Sequence, residues 1–433
     1  MNSKATGKGM ARSPDGGWSI IIVIATSVCL FLTVGMTRCV GVLYSSWKSE
    51  FETSAAMTGA LASIVLACAH FISPIGAIVC RGLGCRVTMI LGGTLTATSL
   101  LISSWAQNIY QMYVLLAVAG FGIGLGFVAG LVVVAIYFKK YYKAANGVAS
   151  SGIGIGLVAF PPLLQLLLDS YGWRGTLVIM AGITCNICVG GALFRPLHSS
   201  KNNNEQSERS GNEAIAMQQQ NQTENEDEVT ICQPHVQRRH RCACALLSPV
   251  AKSLGLHLLR NWSFTFFCWI NILATMPYIC YLVFIFPRAS AVGISDQASS
   301  LVVSVLGITS IFGRLISGVL INWKFSSVKV FAAALLFCSG ATLLTQLEIV
   351  WSFVASSCLM GFFTGVTQAT TSVVVRQCVG NDNIGTGIGM CFFFNGIADL
   401  VGPIMTGPCP RCLSTCRLIL TNILALDVNT NAK

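Results

Sequence analysis

The chain has 433 residues, of which 54% are hydrophobic and only 10% are charged, and its mean hydropathy is +0.69. Soluble globular domains carry about 25% charged residues, so this composition excludes a soluble protein and predicts one that is integral to a membrane. The net charge of +11 comes from scattered lysines and arginines. The sequence lacks the long basic stripes of proteins that bind nucleic acid.

The N-terminal segment 1–17 is polar and basic, and we expect it to lie in the cytosol before the first membrane helix. A helix that spans a membrane needs about 20 mostly apolar residues. Basic residues concentrate in alternate short loops, which also predicts a cytosolic N-terminus. Eleven apolar runs are long enough to span: 18–45, 56–80, 87–105, 110–137, 145–168, 175–195, 263–287, 298–321, 328–346, 350–375 and 384–407.

The interval between the sixth and seventh runs is rich in Asn, Gln and Glu and poor in aromatic residues, which is typical of disorder. We therefore predict a disordered cytosolic linker over 196–262. It separates an N-terminal six-helix bundle, 18–195, from a C-terminal bundle of five spans, 263–407. This arrangement is the parallel-halves layout of major facilitator transporters. The predicted fold is an all-α membrane protein with the major facilitator superfamily fold.

The C-terminal segment 408–433 is atypical for this layout. Its only apolar stretch, "LILTNILAL", is too short to span a membrane. We therefore expect the last helix of the second six-helix half to be missing or altered. One reading of such a chain is a truncated form that binds substrate or a partner without transporting.

Two motifs indicate a family. "PDGGW" at 14–18 and "YFKKYYKAANGVASSG" at 137–152 resemble the two signatures of the monocarboxylate transporters. The resemblance implies carriage of small organic monocarboxylates or zwitterionic carboxylates across the plasma membrane by alternating access, with no cofactor or metal. For several family members it also implies a single-span immunoglobulin-type accessory glycoprotein as partner. The residues that it implicates in conformational coupling are Asp15, Gly16, Gly17, Trp18 and Lys140.

The substrate path departs from the family pattern. Proton-coupled members resemble this chain but have a lysine where Arg38 stands, and an aspartate where Ser310 stands, four residues before Arg314. Because an arginine does not usefully release its proton, these departures predict facilitated diffusion or exchange, with proton symport weakened or absent. A proton-coupled lactate or pyruvate symporter remains the alternative.

Four residues are the predicted substrate-binding set: Arg38, Arg314, Ser310 and Asp399. A guanidinium in a membrane helix is costly unless it faces a polar cavity, and its planar fork can hold a carboxylate with two hydrogen bonds. The alternative roles are a structural ion pair for Arg38 and an anchor near the inner face for Arg314.

Asp399 has three possible uses: pairing with an arginine, binding the cationic part of a zwitterion, or helix packing. His70 lies alone in an apolar helix. Such a histidine can exchange a proton, although a packing role is more common.

Overall fold

The computed structural model describes residues 17–37, 40–195, 255–293, 296–322, 326–347, 349–381 and 383–406. The predicted linker, apart from 255–262, and the atypical tail lie outside this part of the chain. Within it the regular elements are all helical. The α-helices are α1 (Gly17–Leu30), α2 (Tyr44–Glu50), α3 (Ala55–Phe71), α4 (Ser73–Ser103), α5 (Ile109–Tyr137), α6 (Tyr142–Ala192), α7 (Trp262–Ala291), α8 (Asp296–Asn322), α9 (Ser327–Leu344), α10 (Val350–Val379) and α11 (Ile384–Thr406).

Two of these helices contain a sharp break at a glycine. Gly84 in α4 has φ 85° and Gly172 in α6 has φ 64°, a left-handed region that glycine adopts without steric cost. Because of the break at Gly172, α6 consists of two helical segments, 142–171 and 173–192. At 1.5 Å per residue they are about 45 Å and about 30 Å long, so each is long enough to cross a membrane. Among the described residues, nine helices are long and apolar enough to span a membrane, which confirms the predicted all-α membrane architecture.

The helix α1 continues into a π-helical turn, Phe31–Gly35. The hydroxyl of Thr33 donates to the Cys29 carbonyl at 2.8 Å, and that of Thr37 donates to the Thr33 carbonyl at 2.6 Å. Single π-turns inside α-helices are frequent at functional sites. Here the widened turn immediately precedes the position of Arg38.

Close helix crossings join two helix sets, α1–α6 and α7–α11. The helix α6 packs on α8, and α3 and α4 pack on α11. At Gly147 an added Cβ would lie 2.7 Å from the Arg314 carbonyl oxygen, and at Gly389 one would lie 2.8 Å from the Ser73 carbonyl oxygen. Small residues at these points let the helix backbones approach closely. The two crossings flank a central cavity.

Polar contacts also tie the two helix sets together at the end predicted to be cytosolic. Lys143 donates to the Ile321 carbonyl at 3.2 Å, and Arg376 donates to the Phe138 carbonyl at 3.2 Å. The Arg376 guanidinium also lies 4.3 Å from the centre of the Tyr142 ring. In this conformation the helix sets therefore meet at that end.

Candidate functional site

A cavity of about 110 Å³ lies between the two helix sets. At about 10–15 Å³ of such volume per ordered water, it has room for a small organic molecule. Its wall comes from the segment that follows α1 and from α3, α5 and α6 on one side, and from α7, α9, α10 and α11 on the other. The polar side chains that line it include His70, Asn146, Asn271, Gln368 and Asn395, with several serines and threonines.

The described lining of this cavity contains no aspartate, glutamate, lysine or arginine. Amides, hydroxyls and the His70 imidazole supply most of its polar surface. The two charged residues that the sequence singled out in the described helices, Arg314 and Asp399, are both buried, at 1% and 0% exposure. Each lies behind a side chain that does line the cavity.

Arg314 is held between α8 and α10. One terminal nitrogen donates to the carbonyl of Ser310 at 3.2 Å and also contacts the Ser310 hydroxyl, while the other donates to Gln368 Oε1 at 2.8 Å. The guanidinium fork therefore engages acceptors on two helices, a geometry that a lysine ammonium does not reproduce. The burial of Arg314 places its charge inside the helix bundle, with Gln368 between it and the cavity.

Asp399 and His70 form a contact that sequence reasoning missed. His70 Nδ1, on α3, lies against Asp399 Oδ2, on α11, across 329 positions of sequence. We expected Asp399 to pair with an arginine, to bind a cation or to serve packing; the structure pairs it with His70. No signal in sequence spacing connects two residues so far apart, because the contact depends on how α3 packs against α11.

Aromatic rings fix the orientation of His70. Its ring is stacked on Phe392, with centroids 5.5 Å apart and an interplanar angle of 11°. Phe127 meets it edge-on at 6.1 Å. The imidazole is thus held by two rings and one carboxylate, and it lines the cavity with 12% of its side chain exposed.

Three of the predicted site residues, Arg38, Asp15 and Gly16, lie outside the described residues. Two positions close to Arg38 in sequence, Val34 and Thr37, do line the cavity. The structure therefore brings the chain to the cavity wall immediately before the position of Arg38.

The described residues among those predicted to couple conformational change, Gly17, Trp18 and Lys140, lie away from the cavity lining. Gly17 begins α1. The Trp18 ring lies 3.9 Å from the Arg195 guanidinium, a cation–π contact that ties the start of α1 to the segment after α6. Lys140 lies between α5 and α6, with its ammonium 5.2 Å from the Tyr141 ring centre.

Comparisons with known proteins agree with this architecture. Residues 26–403 match the family model described as Major Facilitator Superfamily. The chain is 30% identical over 414 residues to monocarboxylate transporter 12 of Xenopus laevis, covering 91% of this chain and 83% of that protein. It is 29% identical to the human monocarboxylate transporter 12, covering 91% and 75%, and 26% identical to the mouse monocarboxylate transporter 6, covering 92% and 82%.

The family match covers most of the chain and confirms the predicted major facilitator fold. The relatives confirm the resemblance carried by the two signature motifs. The chain is therefore a multi-pass membrane transporter rather than an enzyme, and it belongs to the Major Facilitator Superfamily as a divergent member of the monocarboxylate transporter family.

Proposed function

We propose that this protein carries small organic monocarboxylates, or zwitterions that contain a carboxylate, across the plasma membrane by alternating access, with its N-terminus in the cytosol. The observation that carries the proposal is the buried Arg314, which is linked through Gln368 to a cavity whose described lining has no carboxylate of its own. A cavity with a guanidinium behind its wall attracts anions, because the surrounding protein screens that charge less than water does.

Gln368 is the contact between Arg314 and a ligand. Its Oε1 accepts from the guanidinium, so its amide nitrogen Nε2 remains to donate to a ligand. Hydrogen bonding to a cation polarises the amide and strengthens that donor. The substrate carboxylate binds at this nitrogen, and Arg38 supplies a second guanidinium.

The positions of these groups support alternating access. Arg314, Ser310 and Gln368 belong to α8 and α10, within one helix set, so they move together when the helix sets rock against each other. Opening toward the cytosol separates the contacts of Lys143 and Arg376 with the opposite helix set. The geometry of these three residues is thus preserved while the access path changes.

The neutral hydroxyl of Ser310 at Arg314 supports transport that is weakly or not at all coupled to protons. A serine in contact with the guanidinium offers no carboxylate that could take up and release a proton. Facilitated diffusion or exchange is therefore the proposed mode. Proton-coupled lactate or pyruvate symport is the second candidate, favoured by the His70–Asp399 pair at the cavity wall.

The test is uptake of radiolabelled lactate, pyruvate, creatine and carnitine into oocytes at external pH 6 and pH 7.5. The variants are Arg38→Ala and Arg314→Ala. The matched control is Arg174→Ala, since Arg174 forms an exposed pair with Glu50 at 3.2 Å. Biotinylation measures the amount of each protein at the surface, and co-expression with a single-span immunoglobulin-type glycoprotein tests the proposed accessory partner.

We expect saturable uptake of at least one acid, at similar rates at both pH values, that is lost in Arg38→Ala and Arg314→Ala and kept in Arg174→Ala. If oocytes preloaded with an unlabelled acid take up the labelled acid faster than oocytes that are not preloaded, the transport mode is exchange. A steep rise at pH 6 favours proton symport instead. If none of the four acids moves despite normal surface expression, the proposal fails for these substrates, and a non-transporting form is favoured.

A further inference from the structure

We propose that His70 is a substrate-binding residue that donates a hydrogen bond from Nε2 to the carboxylate, and that Asp399 is the positioning residue that keeps the hydrogen on Nε2. The assignment rests on the proposed function, since it concerns the same cavity. It adds an anion contact beyond Gln368 and Arg38, on the helix set opposite Arg314.

The geometry leaves one ring atom of His70 for a ligand. Nδ1 is occupied by Asp399 Oδ2, and the ring faces are constrained by Phe392 and Phe127. Nε2 lies on the far side of the ring from Nδ1, and it has no hydrogen-bond partner among the described residues. A polar atom at the wall of a binding cavity, on a ring held this firmly, is preorganised for a ligand.

The burial of Asp399 determines which hydrogens the ring carries. Its carboxylate is 0% exposed, and its Oδ1 has no hydrogen-bond partner in the described part of the chain. An ionised carboxylate in such a place is costly unless a positive charge compensates it. One proton at the contact with His70 makes the pair neutral, either as carboxylate with imidazolium or as carboxylic acid with imidazole.

Both of these forms place a hydrogen on Nε2. Imidazolium carries hydrogens on both nitrogens, and a neutral imidazole that accepts at Nδ1 carries its hydrogen on Nε2. Nε2 is therefore a donor in either form, and a carboxylate is the natural acceptor. The other titratable side chains of the described cavity lining are Tyr278 and Cys338, neither of which is a carboxylate that would compete for this donor.

The position of the pair gives the contact a further consequence. His70 belongs to α3 and Gln368 to α10, so the two donors come from opposite helix sets. A carboxylate compound that contacts both His70 and Gln368 therefore connects the two helix sets. Substrate binding thereby favours the closed arrangement of the cavity.

The test measures KM and the maximal uptake rate for the four radiolabelled acids in His70→Leu and His70→Gln. His257→Leu is the matched control, because His257 is exposed in the short helix Leu256–Arg260. Removing one hydrogen bond to a charged ligand raises KM about tenfold in His70→Leu. Glutamine restores a donor, so the KM of His70→Gln stays within about threefold of that of the unmodified protein.

Asp399 is tested by a double-mutant cycle. Asp399→Asn should raise KM when His70 is present. An amide can either accept from Nδ1 or donate to it, so it no longer keeps the hydrogen on Nε2. In the His70→Gln background the same change should leave KM unaltered. Additive effects would show that Asp399 acts independently of His70 and would overturn its role as a positioning residue.

Two further results would overturn the assignment. One is an unchanged KM in His70→Leu. The other is a KM that rises steeply from pH 6 to pH 7.5 and loses this dependence in His70→Gln, which would show that Nε2 gives up its hydrogen. If the unmodified protein takes up none of the acids, the proposed function itself fails, a result distinct from any change confined to the His70 variants.

Discussion

The cavity is flanked by two buried charged sites that are built differently. Arg314, Ser310 and Gln368 lie within one helix set, whereas His70 and Asp399 join α3 of one set to α11 of the other. The first site keeps its geometry when the helix sets move. The second is intact only while α3 and α11 stay packed together.

The two sites also differ in the groups that they offer to a ligand. Arg314 is a guanidinium that donates to Ser310 and Gln368, both neutral groups. His70 is an imidazole held by the carboxylate of Asp399. We infer that Arg314 supplies the electrostatic attraction for an anion, while His70 supplies a directed hydrogen bond, and the predictions below test this division.

The largest effect is expected at Arg314. Arg314→Gln should lower saturable uptake by about 30-fold or more, because loss of one partner of a buried charge pair costs about 2–5 kcal/mol. Arg314→Lys should also impair uptake, since an ammonium does not bridge Ser310 and Gln368 in the same way. Both variants are measured by uptake corrected for surface expression, with Arg174→Gln as the control. Normal uptake in Arg314→Gln would exclude the arginine from substrate binding.

Gln368→Glu should have the next largest effect. A carboxylate in contact with Arg314 would compete with the substrate and also repel it, so KM should rise by about tenfold, a loss of roughly 1.4 kcal/mol. Gln377→Glu is the control on the same helix, because Gln377 donates to Ser327 Oγ at 3.3 Å and does not line the cavity in the described structure. Equal effects of the two changes would contradict the proposed role of Gln368.

Ser310→Asp should create a pH dependence that the unmodified protein lacks. An aspartate beside Arg314 is ionised at pH 7.5 and occupies the guanidinium. Burial at this position, where Ser310 is 1% exposed, favours the protonated carboxyl against the opposing effect of the arginine, so protonation at lower pH releases the guanidinium. Uptake should therefore be a few-fold faster at pH 6 than at pH 7.5. Ser310→Asn, which has a similar shape but does not titrate, should show no such difference. A flat profile in Ser310→Asp would separate Ser310 from proton coupling.

Gly147→Ala should have the smallest effect on uptake. The added Cβ would lie 2.7 Å from the Arg314 carbonyl oxygen, so α6 and α8 must separate slightly, at a cost of about 1–3 kcal/mol. Thermal unfolding of the purified protein should show a lower midpoint. Gly182→Ala is the control, with nothing within 4 Å of its new Cβ. A lower midpoint in the control alone would contradict the proposed helix contact.

The helices were predictable from sequence because a membrane span requires a long apolar run. Such a run is recognised from consecutive residues, without knowledge of what packs against it. The break at Gly172 falls between the predicted runs 145–168 and 175–195, inside the polar stretch "YGWRG". Arg314 stood out for a related reason, since a charge in an apolar helix requires a partner.

The partners themselves could not be predicted. Gln368 lies 54 positions from Arg314, and Asp399 lies 329 positions from His70. Polar residues in "TGVTQATTS" and a lone histidine in "LACAHFISP" resemble ordinary helix-packing residues. Only the packing of α8 on α10 and of α3 on α11 shows which of them adjoin the buried charges.

The most direct test of the central claim compares acids with their neutral amides on the purified protein. A ligand that binds the folded state raises its unfolding midpoint. Lactate or pyruvate should raise the midpoint, lactamide and pyruvamide should not, and Arg314→Gln should abolish the shift. Equal shifts by acids and amides, or a shift that survives in Arg314→Gln, would contradict a carboxylate site built on this arginine.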